Sequence, residues 1–133
     1  MSDDKKIKVI ITKVGLDGHG RGAKVVVSLL KEAGMEVVYL GMFNQVDDII
    51  QAVVDEDADV LGLSYLSGEQ LIFTPKIVEK MKKNDLDDVL LIVGGTVPVE
   101  DIPMMEDMGV DRVFRAGSLS NEFVDYIEKN VRK

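Results

Sequence analysis

The stretch IKVIITKVGLDGHGRGAKVVVSLLKEAG, residues 7–34, decides the fold. It opens on a β-branched run, IKVIIT (7–12), and breaks into a loop holding Gly15, Gly18, Gly20 and Gly22. It then resumes as GAKVVVSLLKEAG (22–34), whose apolar residues recur at helical spacing and whose Gly34 is a good C-terminal stop. Strand, glycine-rich loop and helix make one β-α unit, and the pattern continues downstream. Strands are predicted over 35–41 (MEVVYLG), 58–64 (ADVLGLS), 88–95 (DVLLIVGG) and 110–117 (VDRVFRAG). Helices are predicted over 46–57, 69–84, 99–109 and 120–133. Pro75 lies near the start of the third helix or kinks it, and Pro103 interrupts the fourth early. Ser120 is expected to cap the fifth, with Glu122 in its first turn.

Five β-α units, with the first, third and fourth strands nearly continuous in apolar residues, call for a parallel sheet covered on both faces. Right-handed crossovers then give a flavodoxin-like (Rossmann-like), doubly wound, five-stranded parallel sheet in three α/β/α layers, order 2-1-3-4-5. The 133 residues are read as a single domain, 1–133, large enough to bury a core.

Composition narrows the function classes. A net charge of -8 argues against nucleic acid, which needs a basic face. The one lysine cluster, KMKK (80–83), alternates with apolar positions and reads as the wet side of a helix. The apolar runs are too short to span a bilayer, and MSDDKKIKV has no signal-peptide core, so no membrane partner and a cytoplasmic location are expected. With no cysteine there is no disulfide frame, thiolate metal site or thiol nucleophile.

In such a sheet, ligands sit beyond the carboxyl ends of the strands, at the switch point between strands 1 and 3. The loops there hold KVGLDGHGRG, SYLSG, GGTVP and RAGS. The first is not a dinucleotide loop, because the residue three past Gly20 is Ala23, and it lacks the G-K-[ST] of a phosphate loop. A phospho-receiver needs an aspartate at the end of strand 3, where this chain has Ser64. A flavin sandwich needs aromatic residues, which are 5% of the chain with no tryptophan.

His19 is the only histidine, and Asp17 precedes it by two. A carboxylate accepting the imidazole Nδ1–H would fix the tautomer and leave Nε2 free as a ligand, and Lys13 could pair with Asp17. A lone loop histidine is otherwise most often a solvated side chain. One imidazole does not hold a bare metal ion, so a metal would arrive already ligated in a macrocycle, haem or corrin. The polar mouth formed by Ser64, Tyr65, Leu66, Gly94 and Gly95 suits a long tail with a ring, ribose and phosphate better than it suits haem.

These residues resemble the cobalamin-binding domain of the coenzyme B12-dependent mutases, whose signature is D-x-H-x-x-G, then S-x-L, then G-G. Here they are Asp17-x-His19-x-x-Gly22, Ser64-Tyr65-Leu66 and Gly94-Gly95, after the first, third and fourth strands. The wider run KVGLDGH-RGAKVV is most similar to the acyl-CoA mutases of the methylmalonyl-CoA mutase group. The resemblance implies adenosylcobalamin as cofactor, with His19 displacing the dimethylbenzimidazole base to become the lower axial ligand of cobalt. It implies that Asp17 hydrogen-bonds His19 and that Lys13 supports Asp17. Ser64 would offer its hydroxyl to the displaced base, Leu66 would pack near it, and Gly94 and Gly95 would leave it a bare wall. Gly18 and Gly22 would admit corrin and tail. Leu16, Gly20, Tyr65, Gly68, Thr96, Val97, Gly117 and Ser118 complete the cofactor-binding set expected in these loops. Gly20 departs from the family, which often has Asp there, as does Arg115-Ala116-Gly117-Ser118 from a loop that is often Gly-Pro-Gly-Thr. Both bear on the affinity for the tail more than on axial ligation.

The same resemblance implies the cobalamin-carrying small subunit of a two-chain isomerase, inactive alone. A separate large (β/α)8 subunit would bind the acyl-CoA. Rival readings are the small subunit of glutamate mutase, a corrinoid carrier for methyl transfer, and a metal-free module that kept the fold. The methyl carriers usually place a helical cap before the first strand, whereas here strand 1 begins at Ile7. Homo-oligomerisation is open at this stage.

Overall fold

The computed structural model describes residues 6–14, 21–41, 45–65, 70–95, 97–115 and 120–132. Of these, 13–14, 21–24, 115 and 120–121 are described as backbone alone. The elements alternate along the chain as β1 (Lys8–Val14), α1 (Arg21–Glu32), β2 (Glu36–Gly41), α2 (Val46–Glu56), β3 (Val60–Tyr65) and α3 (Gln70–Lys83). Then come β4 (Leu90–Gly95), a 3-10 turn (Val99–Asp101), α4 (Ile102–Met108), β5 (Arg112–Arg115) and α5 (Ser120–Asn130). All neighbouring strands pair in parallel, in the expected order β2-β1-β3-β4-β5.

The two-residue period of the strands distributes the core. Val9, Ile11, Val60, Leu90 and Ile92 pack with Val27 and Leu30 of α1 and Ile127 of α5 on one face. Ile10, Leu61, Leu63, Leu91 and Val93 pack with α2, α3 and α4 through Ile49, Ile77 and Met105 on the other. Successive residues of the central strands therefore meet opposite helical layers.

Helix ends follow local chemistry. Gly34, at φ 91°, ends α1, with the amides of Gly34 and Met35 donating to the carbonyls of Lys31 and Leu30. Asp57 and Asp85 take the left-handed conformation after α2 and α3. This is a position where a short polar side chain substitutes for glycine. Pro75 lies inside α3 as its sixth residue, and the helix runs on to Lys83. Pro103 does not interrupt α4 but falls in its first turn, where a missing N–H costs nothing. The predicted start of that helix at residue 99 is instead a 3-10 turn. Met81 of KMKK is buried while Lys80 pairs with Asp47 at 3.3 Å and Lys83 with Glu79 at 3.5 Å, a solvated face as expected.

The amino ends of the strands are bracketed by two buried or half-buried aspartates. Asp59 Oδ2 accepts the Lys8 amide at 2.8 Å, and the Asp59 amide donates to the Lys8 carbonyl at 2.8 Å. Asp111 repeats the device with Leu91, its Oδ2 accepting the amide at 2.8 Å. Residues 58–59 and 88–89, expected as strand, precede β3 and β4, and Asp59 serves there as a cap.

Candidate functional site

The carboxyl ends of β1, β3, β4 and β5 meet in one register row. Lys13 lies beside Ser64, Ser64 beside Gly94, and Gly94 beside Phe114. Leu63 and Tyr65 point into the α2–α4 layer, so alternation turns the half-buried Ser64 towards α1 and α5. Gly62 and Gly94 share that face.

The two glycines differ in what a side chain would meet. A Cβ on Gly62 would lie 2.7 Å from Ile11 Cδ1 and 3.6 Å from Ile92 Cγ1, so this part of the face is already filled. Among the described residues, a Cβ on Gly94 would meet only the Phe114 carbonyl oxygen, at 3.6 Å. The sheet is therefore bare at Gly94, with a hydroxyl beside it and a closed floor one step below. Phe114 bounds the β5 side, held by Phe123 at 4.6 Å between ring centroids and by Tyr126 at 5.8 Å. A flat heteroaromatic group with an acceptor nitrogen fits this surface: bare backbone takes the ring, and a hydroxyl is the donor that a buried nitrogen requires.

Gly95 has a different role from the one expected. Its φ is 115°, and a Cβ there would run into the backbone of Tyr65. Glycine is required at 95 by the approach of two strands, not by an open wall. Tyr65 and Val97 are also not brought to the Ser64–Gly94 face. Tyr65 is fully buried in the α2–α4 core, its hydroxyl 2.7 Å from Thr74 Oγ1, and Val97 packs in the same core. Gly22 is the second residue of α1, and Lys13 the penultimate residue of β1. Leu16, Asp17, Gly18, His19, Gly20, Leu66, Gly68, Thr96, Gly117 and Ser118 lie outside the described residues.

Sequence reasoning missed a polar tie between two of the loops. Gln70, the first residue of α3, is buried and donates Nε2–H to Asp101 Oδ2 at 3.0 Å, while its Oε1 has no partner. This bond links the start of α3 to the turn before α4. No motif announces a glutamine and an aspartate 31 residues apart. Phe114 was missed too, since only the β4–β5 register places it beside Gly94.

Among the described residues, two groups have clearly displaced pKa values, Lys8 at the opposite end of the sheet and Tyr126 in α5. The hydrogen bond from Lys8 to Glu56, helped by Glu36, raises the Lys8 ammonium above its ordinary value. Burial, followed by the charge of Asp111, raises the Tyr126 phenol, which donates to the Asp111 carbonyl at 3.2 Å. Among the described residues no group of three His, Cys, Asp or Glu is placed to hold a metal ion, and no helix is long and apolar enough to cross a membrane.

A family model described as B12 binding domain matches residues 7–123, and the chain belongs to that family. It is 39% identical, over 97% of its length and 95% of the relative's, to the 2-hydroxyisobutanoyl-CoA mutase small subunit of Aquincola tertiaricarbonis. It is 37% identical, over 92% of its length and 82% of the relative's, to the pivalyl-CoA mutase small subunit of Xanthobacter autotrophicus. The methylmalonyl-CoA mutase of Escherichia coli is 32% identical over 86% of this chain, which there spans 16% of the relative. Among solved structures, a cobalamin-binding protein from Desulfitobacterium hafniense superposes with a TM-score of 0.81 at 25% identity, covering 96% of this chain and 60% of that one.

Proposed function

We propose that this chain is the adenosylcobalamin-carrying small subunit of a two-chain, B12-dependent acyl-CoA mutase, an isomerase. The observation that carries the reading is the end-to-end match to two mutase small subunits, which are this chain's size and not the size of a whole mutase. The bare face at Ser64 and Gly94 supports it from the geometry.

Each residue has a defined task in this reading. The His19 imidazole would hold cobalt through one ring nitrogen, Asp17 would accept the N–H of the other, and Lys13 would support Asp17. The Ser64 hydroxyl donates to the nitrogen of the displaced base, and Gly94 lets that base lie flat. Gly18 and Gly22 would allow close approach of the corrin and the tail. Bound adenosylcobalamin supplies a carbon radical by homolysis of its cobalt–carbon bond. As the small subunit of such a mutase, the chain would leave the acyl-CoA to a separate large (β/α)8 subunit and would turn nothing over alone. The location is cytoplasmic.

The test is His19→Ala. Wild-type protein should bind cobalamin with the absorbance of the base-off, histidine-ligated form, and the variant should lose both that spectrum and most of the affinity. An unchanged spectrum and affinity would refute the ligation. Turnover of an acyl-CoA after mixing with a mutase large subunit separates this reading from glutamate mutase, whose substrate carries no coenzyme A.

A further inference from the structure

Exposed aliphatic side chains are not scattered over this chain. Among the described residues the large exposed ones are Val25 (52%), Val54 (45%), Leu71 (36%), Ile72 (66%), Val99 (57%) and Met104 (53%). All but Val54 fall within the first five residues of α1, α3, α4 or the 3-10 turn before α4. Each of those elements starts at the carboxyl ends of the strands, so the five residues lie at one pole. The amino-end pole carries Lys8 with Glu36 and Glu56, and Arg132 with Asp111, as ion pairs. Four of the five belong to the starts of α3 and α4 and the turn before α4, which the part-buried Gln70–Asp101 bond joins into one shoulder.

We infer that this shoulder, Leu71, Ile72, Val99 and Met104, is the docking surface for the mutase large subunit, beside the cofactor. The inference rests on the small-subunit reading above. Isolated exposed aliphatics need no explanation, but a group of them at the ligand-binding pole marks an interface. The occupant follows from how the relatives divide their chains. In the Escherichia coli mutase the matching segment is 16% of one long chain, so the rest of the enzyme adjoins it covalently. In the small-subunit relatives that remainder is a separate chain, and the surface facing it must hold by contact alone. Aliphatic side chains on a braced shoulder do this, and the neighbouring Glu100 and Asp101 ask for a basic rim on the partner.

The experiment loads the purified chain with cobalamin and titrates it with the large subunit that pairs with the Aquincola tertiaricarbonis small subunit, reading affinity and acyl-CoA turnover. Ile72→Arg and Val99→Arg replace exposed side chains and should leave the fold and cobalamin uptake intact. Each should weaken association at least tenfold, and Val54→Arg, on the far part of α2, should not. Wild-type affinity in both shoulder variants, with cobalamin bound and turnover retained, overturns the docking surface and leaves the small-subunit reading standing. Failure of the wild-type chain to take up cobalamin overturns the small-subunit reading itself, and failure of the loaded chain to bind the large subunit overturns the docking surface. Sedimentation of the chain alone adds one more outcome: a dimer dissolved by Ile72→Arg gives the shoulder to a second copy and also overturns the inference.

Discussion

Tyr65→Phe separates the side chains that serve the bound ligand from those that serve the core. Tyr65 follows Ser64 directly, yet the strand turns its ring to the opposite face, where it is fully buried and hydrogen-bonded to the equally buried Thr74 at 2.7 Å. Removing the phenolic oxygen forfeits that bond and leaves Thr74 Oγ1 without it. The loss is about 1–3 kcal/mol for a buried group left unpaired. Thr74 sits in α3 and can turn its hydroxyl back to the carbonyl four residues earlier, which favours the lower half of that range. At roughly 2 kcal/mol per molar urea, the unfolding midpoint should fall by about 0.5–1 M. Adding Thr74→Val should recover part of the loss, because removing both partners leaves no orphan. Cobalamin affinity, read by absorbance titration, should stay within about twofold of wild type, since no ligand contact is touched. A variant that kept its urea midpoint and lost cobalamin tenfold would refute the assignment of Tyr65 to the core.

The other expectations come from single contacts. Gly94→Leu should fold normally, because among the described residues its Cβ meets only a carbonyl oxygen at 3.6 Å, and should weaken cobalamin binding at least tenfold in the same titration. Gly95→Ala should destabilise the chain by about 1–3 kcal/mol in thermal unfolding, since φ 115° is a conformation that side chains rarely adopt and Tyr65 blocks the space. Tyr126 has a phenol raised above its unfolded value of 10.0, so its contribution to stability is complete below about pH 10 and is lost as pH rises through the folded value. Urea midpoints measured from pH 9 to 11.5 should therefore fall, and should fall less steeply in Tyr126→Phe; Lys8, raised for a different reason, contributes a decline of the same sign in both proteins.

The strand order was legible because each strand is a short apolar run and each connection holds one helix. Helix periodicity placed all five helices to within a few residues. Ser64 and Gly94 were legible as motif residues near the switch point, but their adjacency was not: they lie at the ends of β3 and β4, and the register makes them neighbours. What sequence reasoning could not separate was the side of the sheet. Gly94 and Gly95 read alike as a pair, as do Ser64 and Tyr65, because a motif does not state which way each side chain of a strand turns. One member of each pair belongs to the ligand face and the other to packing. Asp59 reads as the second residue of a strand, yet it precedes β3, is buried, and closes the amino end of β1 with its carboxylate. That role depends on a neighbour 51 positions away, beyond the reach of local pattern.

The Ile11 methyl over Gly62 makes β1 a depth gauge. The missing side chain at 62 does not enlarge the opening above it, because Ile11 Cδ1 plugs the gap like the bottom of a socket. In the proposed reading, how far a ring would sink beside Ser64 is set from a neighbouring strand, by the length of one aliphatic chain. Ile11→Val would lower the socket's base by one methyl, and a comparison of corrinoids with larger and smaller lower bases would read the change. Equal preference in both proteins would show that the plug is idle. On that reading, selectivity for the tail of the cofactor would reside inside the sheet, in the side chain at position 11.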